Sequence, residues 1–413
     1  MPRTARRIRI VFVLTALTLG GAEMMLWKLL SRIDRKRFDP YIVGLSARAD
    51  SMLSRFQKIG VPCDLLGMRP RLDASWRVLR LAKALRALKP DIVQGWLYHG
   101  NVAATLAAAL TGIHAPVMWS IRGTLPTPRE KNWRSSLIIR LSGALSSMPA
   151  RIINNSIASA REHEERLGYP KDKGVILANG FDTDLFRPSP EARLALRTEL
   201  GVASDAVLVG LVGRYHLMKD HANFLRAVAI VKKVRPEVYY VLVGANVDNQ
   251  NAALSGLVAE LGLGTQVRLL GPRHDMERVT AALDIACSAS YGEGFSNVIG
   301  EAMSCAVPCA VTDAGDSARI VADTGKVVAP FDSAALAHAI QSLIDAGREE
   351  RATLGVRARE RVLQHFSLDA IVQQYEELYT RVYDEYFSRA AARALRSSGR
   401  KINDPVTPTD IRR

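Results

Sequence analysis

Two glutamates, Glu293 and Glu301, stand eight residues apart in the segment SYGEGFSNVIGEAMSC, residues 290–305. A Gly-Phe-Ser-Asn turn (Gly294, Phe295, Ser296, Asn297) lies between them. The apolar run before it predicts a strand ending at about Ser290, and the run after it a helix starting near Ser296. The unpaired N–H groups of such a helix start can hold an anion, and Gly294 lets the backbone approach a ligand closely. Glu293 would sit at the mouth of the turn, while Glu301, one to two turns into the helix, can accept both hydroxyls of a ribose. A bare pair of glutamates at this spacing is otherwise read as two solvated helix-end charges; the strand–turn–helix setting argues against that. A second segment, VGRYHLMKD (212–220), brings Gly213, Arg214 and Lys219 to the end of another strand. Arg by its fork and Lys as a point charge can both reach a diphosphate, although the pair alone also fits ordinary surface cations. A third segment, TLGGAEMML (18–26), puts Gly20 and Gly21 at a strand-to-helix turn. It lacks the G-x-G-x-x-G spacing of a dinucleotide fingerprint, and by itself is a tight turn.

These segments need an alternation of strands and helices to position them. In the first half, strands are expected at 8–15, 41–46, 91–96, 115–123 and 151–156. Helices are expected at 22–34, about 50–59, about 74–88, 100–111 and about 157–167. The pattern restarts near residue 180. Strands follow at 206–213, 238–244, 266–271, 285–290 and 308–313, with helices at 221–234, 250–261, 275–282, 296–305 and 333–346. Strands alternating with helices imply parallel sheets covered on both faces, with ligands at the carboxyl ends of the strands. The fold class is therefore α/β, with two doubly wound Rossmann-like domains facing across a cleft. The domains are expected at 1–178 and 179–365, with 169–180 as the join. Helices at 345–363 and 367–390 close the folded part, and a helix over 366–395 returns to the N-terminal domain. The polar, basic segment 396–413 is expected to be disordered.

The three segments, in this order and spacing, resemble those of retaining nucleotide-sugar glycosyltransferases of family four, which have the GT-B fold and an E-x7-E motif. The matching stretches are GGAE at 20–23, NGFDTDLF at 179–186, GR…K at 213–219 and EGFSNVIGEAM at 293–303, and the resemblance covers about residues 8–385. It implies a C-terminal donor domain and an N-terminal acceptor domain. Arg214 and Lys219 would neutralise the donor diphosphate, with Gly213 beside them. Glu301 would bind the ribose, and Glu293 would hold hydroxyls of the donor sugar. Gly294, Phe295, Ser296 and Asn297 would contact sugar and phosphate through backbone amides, and Gly21 would lie under the phosphates. The family often carries a His near the donor sugar; His99, in WLYHGN, follows a strand and is the candidate catalytic partner of Glu293. Arg122, in WSIRGT, stands where relatives often show a His. Arg319, in GDSAR (315–319), stands where many have a Glu. The resemblance implies a nucleotide sugar as donor, a glycan or lipid-linked acceptor, retention of anomeric configuration, and no cofactor or metal; with no convincing carboxylate nucleophile in the sequence, front-face displacement is the expected route to retention. Asp182 and Asp184 form a D-x-D in the join and are read as turn caps. Cys305 and Cys309 lack the partners of a zinc site.

Apolar residues make up 48% of the 413 and charged residues 23%, which excludes a disordered or fibrous chain. The net charge is +15. Residues 1–178 hold 29 Lys and Arg against 12 Asp and Glu, while the remainder holds 27 against 29. A basic half attracts anions, so an anionic or membrane-borne acceptor is expected, with Arg3, Arg6, Arg7, Arg9, Arg32, Arg35, Lys36 and Arg37 toward an anionic membrane surface. Products of that kind belong to cell-surface polysaccharide, lipopolysaccharide or glycolipid biosynthesis. The basic start and the apolar stretch from Ile8 imitate a secretory signal. A buried strand, glycine turn and helix start explain them better, which places the chain in the cytoplasm, peripheral on the inner face of the membrane. The alternatives are a nucleotide-sugar epimerase, whose catalytic acids are not found here, and a basic polyanion-binding protein without catalysis. With aromatics at 6% and no known binding motif, nucleic acid is not an expected partner.

Overall fold

The structure, a computed structural model, describes residues 6–67, 74–126 and 133–397. Two compact units divide it: residues 1–155, 159–177 and 371–413 form one, and 156–158 with 178–370 the other. The first unit thus takes the end of the chain as well as its beginning, and its boundary in the join falls one residue before the expected one.

The first unit contains β1 (Ile8–Leu14), α1 (Gly21–Arg32), β2 (Phe38–Gly44), α2 (Ser51–Lys58), β3 (Cys63–Leu65), α3 (Ala74–Leu88), β4 (Ile92–Gly95) and α4 (Leu97–Thr111). It continues with β5 (Val117–Ile121), α5 (Trp133–Leu145), β6 (Arg151–Asn154), α6 (Ile157–Leu167, of which residues 157 and 158 fall in the second unit) and β7 (Gly174–Ile176). Its sheet runs β3-β2-β1-β4-β5-β6-β7, and the register pairs Phe12 with Ile42 and Gln94. All its strand pairs are parallel. That is why β1 reads as an almost unbroken run of Val, Ile and Phe rather than an alternation. Arg9 interrupts the run near its start, where its side chain donates to Asp39 at 2.8 Å and to the Leu88 carbonyl at 3.0 Å. The Ala-rich α4 lies close to the sheet: a Cβ on Gly100 would stand 2.2 Å from the Val13 carbonyl oxygen.

The second unit contains α7 (Pro190–Leu200), β8 (Leu208–Val212), α8 (His221–Lys232), β9 (Tyr239–Val243), α9 (Ala252–Glu260), β10 (Val267–Leu269), α10 (Met276–Ala281) and β11 (Ile285–Ser288). Then follow α11 (Asn297–Ser304), β12 (Cys309–Thr312), α12 (Ser317–Val321), β13 (Gly325–Val328), α13 (Ser333–Asp345) and α14 (Gly347–His365). Its parallel sheet runs β10-β9-β8-β11-β12-β13. In each unit the order reverses between the first and fourth strand, β1/β4 and β8/β11. In an open α/β sheet the crevice opens there. The last helix, α15 (Leu368–Ser397), belongs to the first unit from residue 371 on. The tail expected to be disordered lies outside the described residues from 398 onward.

The structure departs from the expected elements in physical ways. The short edge strands β3, β7 and β13 are too brief to show a period. Helix α5, apolar on more than one face, has no clean 3.6-residue pattern. Helix α7 was also unassigned, although its signals are present: Ser189 accepts the Ala192 N–H at 3.1 Å, Pro190 opens the first turn, and Gly201 closes it at φ 65°. Strand β2 starts at Phe38 and includes Pro40, which precedes the β2–β3 pairing that begins at Ile42. Helix α4 starts three residues earlier than expected, at Leu97, whose φ of 62° lies in the left-handed region.

Candidate active site

In the second unit, the turns after β8 and β11 meet at the point where strand order reverses. Met218 O accepts the Tyr291 N–H at 3.0 Å, which joins the two turns through their backbones. A Cβ on Gly292 would stand 2.8 Å from Met218 Sδ, so a side chain there would displace the Met218 thioether. The Lys219 ammonium donates to Glu293 Oε1, and Ser290 Oγ donates to the same oxygen at 2.9 Å. Lys219 is therefore paired with Glu293, where the sequence leads one to expect it to reach a diphosphate together with Arg214. Arg214 is exposed, and among the described residues no hydrogen bond or ion pair holds it. Gly213 donates its N–H to Val243 O at 2.8 Å.

Helix α11 begins at Asn297, with Ser296 at its N-cap. The Ser296 hydroxyl does not cap the helix; it is buried and has no hydrogen-bond partner among the described residues. A buried orphan hydroxyl is uncommon in folded proteins and marks a group that another molecule can satisfy. Phe295 differs from its neighbours. Its ring is buried against Phe181 (5.9 Å between centroids) and Phe366 (5.7 Å), so only its backbone can serve a ligand. Asn297 Oδ1 accepts from Asn179 Nδ2 at 2.7 Å. Glu301 borders a narrow hollow with Val212, Thr280, Ser288 and Val298.

Sequence reasoning missed the support of this turn. Gly315 (φ 61°) comes so close that a Cβ on it would stand 2.3 Å from the Glu293 carbonyl oxygen. Gly294 O accepts the Asp316 N–H at 3.1 Å. The buried Asp316 carboxylate takes N–H bonds from Ile157 and Ala158, both 3.1 Å, and pairs with Arg319 at 2.8 Å. The departure at GDSAR thus builds a buttress. Only Gly315 carried a signal, as a glycine in a loop; Ser290, two residues before a glycine, carried none.

In the first unit, Gly20 caps α1 without a side-chain bond and Gly21 is its first residue. The Glu23 carboxylate lies over this helix start, 2.5 Å from where a Cβ on Gly20 would be, and burial raises its pKa above the ordinary value. His99 lies in the first turn of α4 rather than in a loop. Solvent reaches its ring, yet the surrounding protein withholds enough water to lower its pKa. Its neighbour Tyr98 is bonded to His163 Nε2 at 2.6 Å, and His163 Nδ1 lies 2.7 Å from Ser159 O. A carbonyl only accepts, so Nδ1 carries the proton and Nε2 accepts from Tyr98. Arg122 lies over the Trp96 ring at 4.8 Å and donates to Tyr375 Oη at 2.9 Å, a held position rather than a free arm. Of the expected membrane-facing cations, Arg6 pairs with Asp91, Arg9 with Asp39 and Arg37 with Glu376. Arg3 lies outside the described residues.

Among the described residues no group of three or more His, Cys, Asp or Glu is placed to hold a metal ion. Asp182 Oδ1 accepts the N–H groups of Asp184 and Leu185 at 3.2 and 3.0 Å. Cys305 and Cys309 are buried, which raises both thiol pKa values to about 12.

Two parallel doubly wound units, the second with an E-x7-E pair around a strand-to-helix turn, define the class: a GT-B glycosyltransferase fold. The family described as Glycosyltransferase Family 4 matches residues 19–185, and that described as Glycosyl transferases group 1 matches residues 206–346. Together with the fold, these two matches support a family four glycosyltransferase. A D-inositol 3-phosphate glycosyltransferase of Stackebrandtia nassauensis is 31% identical over 216 residues, 49% of this chain and 48% of its own. The enzyme of that name from Thermobispora bispora is 30% identical over 241 residues, 56% and 55% of the two chains. The chain thus spans about half the length of these curated relatives. Among solved structures, Anabaena HepE in complex with UDP is similar in fold, with a TM-score of 0.79 at 24% identity over 91% of this chain and all of its own (100%).

Proposed function

We propose that the protein transfers a sugar from a nucleoside-diphosphate sugar to an acceptor hydroxyl, with retention of anomeric configuration. The Lys219–Glu293–Ser290 constellation carries this reading, since it stands at the switch point of the second sheet beside a helix start with an unsatisfied Ser296 hydroxyl. The leaving group gains negative charge as the glycosidic bond breaks, and preorganised positive groups stabilise it. Arg214 and the first N–H groups of α11 supply that charge on the second unit. Lys219 holds Glu293 oriented, leaving its other carboxylate oxygen for sugar hydroxyls, and Glu301 takes the ribose. On the first unit, Gly21, His99 and Arg122 are the proposed contacts, with His99 kept neutral by its lowered pKa. Front-face displacement accounts for retention; a trapped glycosyl–enzyme adduct in an intact-mass measurement would replace it with a covalent route. No metal is required by these groups.

The acceptor is proposed to be a glycan or a lipid-linked, anionic molecule, in the making of cell-surface polysaccharide, lipopolysaccharide or glycolipid. The basic first half supports an anionic acceptor, as do relatives named for a phosphorylated one. UDP is the nucleotide to test first, because the HepE structures hold UDP and UDP-glucose. The deciding experiment is thermal stabilisation by a panel of nucleoside diphosphates and their sugars. A ligand that binds only the folded state raises Tm by mass action. One base is expected to raise Tm in the wild type and not in Arg214→Ala or Glu301→Ala; a folded protein that responds to none would overturn the reading.

A further inference from the structure

The second unit has an open cleft of 410 Å³ at the other end of its sheet from the candidate donor turn. Asp284, which immediately precedes β11, and Pro308, which immediately precedes β12, both line it, so it opens at the amino ends of these strands. The turn carrying Glu293 follows the carboxyl end of β11. Three guanidiniums line the cleft, Arg193 of α7 and Arg348 and Arg351 of α14, against Asp284 as the one acid among the described residues that do so. The Asp284 carboxylate is already engaged: Arg193 donates to one oxygen at 2.7 Å, while Arg197 and the Leu208 N–H share the other. Two guanidiniums are left over. Arg351 is buried (9% exposed); its Nη1 donates to the Leu343 and Ile344 carbonyls at 3.1 and 2.9 Å, and its Nη2 makes no hydrogen bond among the described residues. Arg348 is exposed, and among the described residues no hydrogen bond or ion pair holds it.

We propose that this cleft binds a phosphate dianion, the group shared by phosphorylated metabolites and inorganic phosphate. Cations gathered at a partly buried site are costly unless an anion joins them. The crowding registers at Arg351: burial lowers its pKa, Asp284 raises it, and Arg193 and Arg348 lower it again. A phosphate monoester carries about −1.5 to −2 charge at pH 7, which offsets the two guanidiniums that have no carboxylate bonded to them. The planar fork of Arg suits it, because two parallel N–H groups match two phosphate oxygens. Leu283, Val307 and Val356 make part of the wall apolar, and the volume falls within the range of about 300–1,000 Å³ usual for small-molecule sites, which leaves room for a carbon skeleton beyond the phosphate. Helix capping does not account for the cluster, since the α13 carbonyls occupy one nitrogen of Arg351 and none of Arg348. The inference stands apart from the transfer reading, because none of the proposed donor contacts lines this cleft.

The test is isothermal titration calorimetry of the whole protein with glucose 6-phosphate and with inorganic phosphate, at one ionic strength set with sodium chloride. Wild type is expected to bind both saturably. Tighter binding of glucose 6-phosphate assigns the site to a phosphorylated metabolite, and equal affinities assign it to the free ion. Arg348→Ala and Arg348→Glu are expected to lower affinity about tenfold or more, the scale of one hydrogen bond to a charged group. Arg348→Lys, which keeps the charge without the fork, is expected to lose less. Because Arg348 is exposed and unbonded, these variants should melt at the Tm of wild type without ligand. Arg214→Ala, in the candidate donor turn, is expected to bind both probes like wild type, and the nucleotide-induced Tm shift should survive Arg348→Ala. A missing nucleotide shift with probe binding intact would therefore count against the donor reading alone. Wild type that binds neither probe, or Arg348→Glu that binds both like wild type, overturns the proposal. Binding lost in Arg214→Ala and kept in Arg348→Ala overturns it in favour of phosphate in the donor turn.

Discussion

The Lys219 ammonium and the Glu293 carboxylate form an ion pair between the turns after β8 and β11, and Ser290 shares the same carboxylate oxygen. Both side chains are largely buried, so neither is easily replaced by water when its partner is removed. Lys219→Met should leave Glu293 without its cation and lower turnover of the nucleotide sugar about a hundredfold, the scale of one preorganised electrostatic contact. Glu293→Gln keeps the shape and should lower kcat by a similar factor while the nucleotide still raises Tm. If each single variant costs about as much as the double, the two act as a unit; additive losses would separate their roles.

Asp284 anchors an element that sequence reading left unassigned. Its carboxylate receives Arg193 at 2.7 Å, the buried Arg197 guanidinium, and the Leu208 N–H at 2.8 Å. It thereby ties α7 to the start of β8. Removing one partner of a buried pair leaves an uncompensated charge, so Asp284→Ala should destabilise the protein by about 3–5 kcal/mol in denaturant unfolding. A loss below about 1 kcal/mol, the range of exposed pairs, would show that water reaches this site.

The parallel sheets were legible because their strands are apolar on both faces, and runs such as AVLVGLVG and VYYVLVG have no other comfortable place. The candidate turn between Glu293 and Glu301 was legible because glycine, glutamate and a helix start recur at fixed spacing after such a run. What was hidden depends on contacts distant in sequence. Nothing local shows that Lys219 will meet Glu293, that Phe295 will turn its ring onto Phe181 and Phe366, or that Arg122 will be held by Tyr375, 253 residues later. Helix α5 was hidden for the opposite reason: its apolar residues lie on more than one face and blur the period that identifies a helix.

His221, the first residue of α8, is buried, with its ring beside the Gly213 backbone and 5.4 Å from the Tyr215 ring. Burial lowers its pKa from 6.5 to about 4. The unfolded chain therefore binds a proton between these values that the folded protein refuses. Stability from this group is intact above about pH 6.5, falls as pH drops through the window, and levels off below about 4. At about 1.36 kcal/mol per pH unit the loss is about 3 kcal/mol. Urea unfolding at several pH values should show this loss in wild type and not in His221→Gln; equal slopes would mean that the folded imidazole protonates normally.

Gly315 shapes the candidate site from behind. Its φ of 61° lies where L side chains are strained, and a Cβ there would stand 2.3 Å from the Glu293 carbonyl and 2.5 Å from that of Gly294. An alanine meets two costs. The left-handed backbone costs about 1–2 kcal/mol, and the clash falls on main chain that cannot swing aside as a side chain would. The turn carrying Glu293 and Gly294 must then move, and with it the N–H groups that precede α11. Gly315→Ala should lower Tm and weaken nucleotide-sugar binding about tenfold or more in calorimetry. A variant less stable yet equally tight in binding would show that the turn keeps its shape without this support. Unchanged stability would show that the backbone at 315 relaxes freely.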